Sequence, residues 1–137
     1  MCLKYSTGGH FGRHADRLLT DTERKAQSVP DDYEHVGTLL AFPPLTKNDA
    51  VEGGNLHVYM PDGSNHVFTP YDAPQTHWRI VALGLDVHHM VSPVTKGERY
   101  VLKTPLFVKK DEVGDEPIPA YCYRPNVHLD KGVIMAD

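Results

Sequence analysis

A chain of 137 residues is long enough for one domain with a modest core and too short for two ordinary ones. Its formal net charge of −4 argues against nucleic-acid binding through bulk electrostatics, and two cysteines, Cys2 and Cys122, without a Cys-x-x-Cys pair suggest neither a disulfide scaffold nor a zinc knuckle. The first residues, Met1-Cys2-Leu3-Lys4, hold no apolar signal core and no run approaches membrane-spanning length, so a cytoplasmic protein with no nucleic-acid or membrane partner is expected.

Helix-favouring runs are scarce, and 11 Gly and 11 Pro punctuate many short apolar segments. That is the composition of an all-β sandwich or barrel. Residues 2–6 and 10–16 read as two extended pieces on either side of a Gly8-Gly9 turn. The second ends in His14-Ala15-Asp16. On a strand, residues two apart share a face, so an imidazole nitrogen and a carboxylate oxygen could reach one metal ion.

Residues 17–32 are polar and form a loop, with one helical turn at Asp21–Ala26. His35–Phe42 is an apolar strand halted by Pro43-Pro44. After a loop over 45–53, the alternating runs Gly54–Met60 and Asn65–Thr69 flank Pro61-Asp62-Gly63-Ser64, the clearest hairpin in the chain. Trp78–Gly84 reads as a buried strand. Val87–Val94 and Arg99–Val108 read as two more, joined by Thr95-Lys96-Gly97-Glu98. Lys109–Pro117 reads as a solvated loop and Ile118–Tyr123 as a last strand. About eight strands without a repeat period fit a double-stranded β-helix, the cupin-like jelly roll, with little helix.

His-x-Asp alone is weak evidence, and a second copy occurs at His128-Leu129-Asp130. A 2-His-1-carboxylate site needs a third ligand from a distant strand, leaving three coordination positions open. The segment Asp86–Tyr100 offers one. His88 and His89 are adjacent, so on a strand only one of them can face inward. Arg99, early in the returning strand, could hold a carboxylate bidentately, because the guanidinium fork matches two oxygens. These pieces suit a metal together with an organic acid.

The sequence resembles the Fe(II)- and 2-oxoglutarate-dependent oxygenases, in the branch that includes prolyl 4-hydroxylase-like enzymes. The resemblance rests on Tyr5-x-x-Gly8-x-x-Phe11-x-x-His14-x-Asp16, on Thr38-Leu39-Leu40-Ala41-Phe42, on Glu52-Gly53-Gly54-Asn55-Leu56, and on His89 with Arg99 ten residues later. It runs from about residue 5 to residue 107 of a single 1–137 domain, leaving 108–137 as a C-terminal extension. It implies Fe(II) on His14, Asp16 and His89, with 2-oxoglutarate held by Arg99, Tyr5 and Leu40. Thr38, Leu40 and Phe42 would line the cosubstrate pocket.

The implied chemistry consumes O2 and decarboxylates 2-oxoglutarate to succinate and CO2 while hydroxylating a C–H bond, with ascorbate as an accessory reductant. The implied substrate is a peptide prolyl residue or a small molecule. A non-catalytic cupin-like module that binds metal or keto acid, or a truncated pseudoenzyme, is the other class the same features suit. Relatives carry helices before the first motif, where this chain has only Asp21–Ala26 to offer, so an apolar outer patch and a homodimer are expected. His10, His35, His57, His66, His77, His88 and His128 read as ordinary strand or loop histidines, and Trp78 as a core or edge residue. Lys103 and Thr104 could line the pocket beyond Arg99, but alternation alone does not say which points inward.

Overall fold

The computed structural model describes residues 1–45, 50–60, 62–69 and 78–113, and the backbone of 127–130 and 133–136. Short alternating segments dominate it, because β-branched and aromatic side chains suit a pleated surface with one buried face. In chain order the elements are β1 (Cys2–Tyr5), β2 (Phe11–His14), α1 (Asp21–Ala26), β3 (Tyr33–Phe42), β4 (Glu52–Gly53), β5 (Leu56–Tyr59), β6 (Asn65–Phe68) and β7 (Arg79–Gly84). They continue with β8 (His88–Val91), β9 (Val94–Lys96), β10 (Arg99–Lys109), β11 (Val127–Asp130) and β12 (Val133–Ala136).

Two four-stranded antiparallel sheets, ordered β1-β10-β3-β7 and β2-β8-β5-β6, form the jelly roll. Their inner faces supply the core: Leu40 and Phe42 of β3, Val81 and Leu83 of β7 and Val101 of β10 from one sheet, Leu56 and Val58 of β5 and Val91 of β8 from the other. This is the double-stranded β-helix with little helix that the composition led us to expect. A further pairing joins β4 to β9. The turn between β1 and β2 carries the chain from one sheet to the other. Gly8 there has φ +86°, its N–H donates to Val94 O at 2.8 Å, and Gly9 O accepts from Val94 N–H at 3.0 Å.

The helical turn falls on Asp21–Ala26, where Thr20 and Glu23 form a reciprocal capping box. Arg17 grips Glu23 with both Nη atoms, at 2.9 and 2.7 Å. The Asn65 hairpin also forms, closed by Asp62, which accepts from the Ser64 N–H at 2.8 Å.

Several boundaries differ from expectation, among them β4, which falls in the segment read as the loop over 45–53. Val87–Val94 is not one strand: β8 ends at Val91, since Pro93 has no N–H for a ladder, and Val94 begins β9 against β4. Asp16 lies beyond the end of β2 rather than on it. Part of the segment read as a solvated loop is a short 3-10 turn, Lys110–Glu112. The expected strand Ile118–Tyr123 lies outside the described residues, as does His77. The tail pairs β11 with β12 as an antiparallel hairpin. His128 and Asp130 are on β11, and their side chains lie outside what is described.

The outer face of the β1-β10-β3-β7 sheet carries exposed Tyr100 and Leu102, with Leu102 paired to Ala41 and Ala41 to Ile80. Trp78 is 43% exposed, an edge rather than a core position. No helix among the described residues is long and apolar enough to cross a membrane.

Candidate metal centre

β2 and β8 are antiparallel neighbours, and their register sets His14 opposite His89. The rings lie with centroids 4.2 Å apart, tilted by 56°. Alternation along β8 leaves His88 exposed and buries His89, so of the adjacent pair it is His89 that faces inward. Two residues beyond β2's last histidine the chain brings Asp16 to the same point. Asp16 Oδ1 is 3.7 Å from His14 Nε2, and Oδ2 is 4.0 Å from His89 Nε2. One potential ligand atom from each of the three residues falls within 4.8 Å of the others.

The protonation states suit a cation. His14 Nδ1 lies 2.8 Å from Gly12 O, and His89 Nδ1 lies 2.9 Å from Val87 O. A carbonyl can only accept, so in each neutral ring the proton sits on Nδ1 and the Nε2 lone pair faces the cluster. Burial, aided by the nearby His14, pushes the His89 pKa below the ordinary histidine value, while the Val87 carbonyl and Asp16 oppose it. Burial alone would raise the Asp16 carboxyl. Hydrogen bonds from Lys103 and Thr38, with the Lys103 charge, overcome that and hold it below the usual carboxylate range. Two neutral imidazoles and one ionised carboxylate fit a first-row divalent ion that prefers mixed nitrogen and oxygen ligands.

Asp16 is fixed from the other sheet. Thr38 Oγ1 donates to Oδ2 at 2.7 Å and Lys103 Nζ donates to Oδ1 at 2.7 Å. A second tether runs through His35, whose Nδ1 accepts the Leu19 N–H at 3.2 Å. Its Nε2–H therefore donates to Gly37 O at 2.9 Å, and this buried ring anchors the segment that follows Asp16. His35, read from the sequence as ordinary, is a positioning residue.

Beside the cluster is a cavity of about 50 Å3 whose walls include His14, His89, Tyr5, Leu40, Arg99 and Lys103. Arg99 is 1% exposed, with its Cζ 4.9 Å from the Tyr5 ring centroid and 5.1 Å from that of Phe42. Tyr5 and Arg99 are cross-strand partners in the β1–β10 ladder. His14 and His89 thus come from one sheet, and Tyr5, Leu40, Arg99 and Lys103 from the other.

Two side chains stand elsewhere than expected. Thr38 is not among the walls of the cavity beside Leu40 and Arg99. It bonds Asp16 and lines a second, larger cavity of about 490 Å3. Phe42 is packed in the core against Arg99. Lys103 is the residue that sequence reasoning left open. With Arg99 facing in, alternation along β10 places Val101 and Lys103 on the same face, and Tyr100, Leu102 and Thr104 on the other. His10, His57 and His66 lie away from the cluster among the described residues.

No family model and no curated protein matches the sequence. Among solved structures the chain is similar to the crystal structure of a Pseudomonas putida prolyl-4-hydroxylase, with a TM-score of 0.50 and 24% sequence identity over 80% of this chain. The match covers 50% of that protein's chain, so this chain spans half its length. A jelly roll holding a candidate His-Asp-His metal site is the class these observations define.

Proposed function

We infer that the chain is an Fe(II)- and 2-oxoglutarate-dependent oxygenase that hydroxylates a C–H bond of a small molecule or a peptide prolyl residue. The observation that carries this reading is the meeting of His14, Asp16 and His89 beside a cavity whose far wall is the buried Arg99. The similarity to a prolyl-4-hydroxylase structure supports it at the level of fold.

When bound, iron and the keto acid supply the oxidising chemistry, in which substrate C–H, O2 and 2-oxoglutarate become alcohol, succinate and CO2. The protein's part is positional. The backbone carbonyls of Gly12 and Val87 hold the two imidazoles in the ligating tautomer. Thr38 and Lys103 engage one oxygen of Asp16 each, which would hold the carboxylate in place beside the two histidines that would bind the metal with it. Arg99, backed by the Tyr5 and Phe42 rings, is set to receive the distal carboxylate, and burial strengthens that contact by excluding water.

Anaerobic addition of Fe(II) and 2-oxoglutarate should give the visible charge-transfer band of the chelate, and admitting O2 should then give succinate. Absence of the band would sink the oxygenase reading. A band without succinate would leave a binding module.

A further inference from the structure

Two cavities share Lys103 as a wall residue. The smaller is lined by His14, His89 and Arg99. The larger, about 490 Å3, is lined by Asp16 together with Thr38, His35, Arg17 and Glu23 among others. Lys103 lines both. The larger volume lies within the ~300–1,000 Å3 of small-molecule sites.

The polar groups around the larger cavity are mostly committed. Arg17 and Glu23 satisfy each other through two hydrogen bonds. Both His35 nitrogens are engaged, by Leu19 N–H and Gly37 O, and Thr38 donates to Asp16. Lys103 differs. An ammonium carries three donors, and its bond to Asp16 uses one of them. Its side chain is 32% exposed, so the head is neither sealed in nor free in solvent.

Charge counting points the same way. This step rests on the oxygenase reading above. With a dication on His14, Asp16 and His89 and a dicarboxylate on Arg99, the site's cations are the metal, Arg99 and Lys103. They exceed the Asp16 carboxylate and the two cosubstrate carboxylates by one positive charge. Once a metal shares the Asp16 charge, Lys103 is the cation least compensated, and it lines the larger cavity.

We propose that the larger cavity is the substrate site and that Lys103 selects a substrate bearing a free carboxylate close to the oxidised carbon. The carboxylate comes from a free amino acid or from the C-terminus of a peptide. An internal prolyl residue has neither.

The test uses the anaerobic Fe(II)–2-oxoglutarate band of the whole chain as a binding readout. Free amino acids, L-proline included, are titrated against their amides, and peptides ending in a free proline against the same peptides with an internal proline and a blocked C-terminus. The expected result is that an acid perturbs the band at a concentration at least tenfold below its amide. Which acid does so separates the free amino acid from the peptide terminus. With Fe(II) raised to offset the Asp16 support that is lost with the ammonium, Lys103→Met should abolish the acid preference, while Lys103→Arg retains part of it. Thermal melts establish that both variants are folded, and the wild-type comparison stands even if they are not. A band perturbed equally by acids and amides, by blocked peptides alone or by no probe overturns the carboxylate assignment while leaving the oxygenase reading intact. A wild-type chain with no band removes both.

Discussion

The Cδ atom of Arg99 occupies the volume that a side chain on Gly54 would need. A β-carbon built there lies 2.7 Å from Arg99 Cδ and 3.0 Å from Val94 Cγ2, and Gly54 has φ +63° in the left-handed region. Gly54, just after β4, is therefore what leaves room for the Arg99 side chain. Gly54→Ala should cost ~1–3 kcal/mol of stability, from backbone strain and displacement of Arg99. It should also weaken 2-oxoglutarate binding. Urea denaturation together with 2-oxoglutarate titration of the chelate band checks both, and unchanged cosubstrate affinity would break the link.

Removing a ligand and removing its support should have separable effects. His89→Gln takes away a donor atom at the cluster and should abolish tight metal binding. Thr38→Val removes only the hydrogen bond to Asp16 Oδ2 and should lower metal affinity by ~10–100-fold, the usual cost of losing an outer-shell partner. Calorimetric titration with Fe(II) under argon measures both.

Two buried histidines give the metal-free chain a defined pH response. His35 and His89 are both held below the ordinary histidine pKa, chiefly by burial. The unfolded chain takes up protons below about pH 6.5 while the folded rings do not, so stability is full above that value and falls as pH drops. Asp16 acts lower down. Its folded pKa is depressed, so its contribution is present above ~3.9 and is lost as pH falls through the folded value. Urea midpoints measured across this range should slope downward toward acid, and His35→Gln should flatten the first part of the slope. A flat wild-type profile would contradict the buried neutral rings.

Leu40 packs in the core and borders the smaller cavity, opposite Lys103 in the β3–β10 ladder. Leu40→Ala should cost ~2–5 kcal/mol and enlarge the cavity. If the wall matters for cosubstrate choice, the variant should accept a bulkier keto acid that the parent rejects, as read from the same visible band.

Much of the architecture was legible because alternation and turn chemistry are local. The Asp62-Gly63 hairpin and the Asp21–Ala26 turn follow from rules that span a few residues, whereas alternation said only that one of His88 and His89 faces inward, and the ten-residue spacing to Arg99 chose His89. The strand break at Pro93 was also written locally, in a residue without an N–H, but the long apolar run around it masked the signal. The roles of Thr38, His35 and Lys103 depend on registers between strands remote in sequence. Thr38 is 22 positions from Asp16 and Lys103 is 87. Alternation could have counted Lys103 inward from Arg99, but not shown that it meets a carboxylate beyond the end of another strand.

The cluster draws its imidazoles from one sheet and the partners of its carboxylate, Thr38 and Lys103, from the facing one. A loaded site would therefore rivet the two leaves of the sandwich, since neither could peel away without tearing the chelate apart. Ligand at a hundredfold its Kd adds ~2.7 kcal/mol to the folded state. Here that increment would be felt by both leaves together, so filling the site would tighten the whole barrel as well as equip it for chemistry.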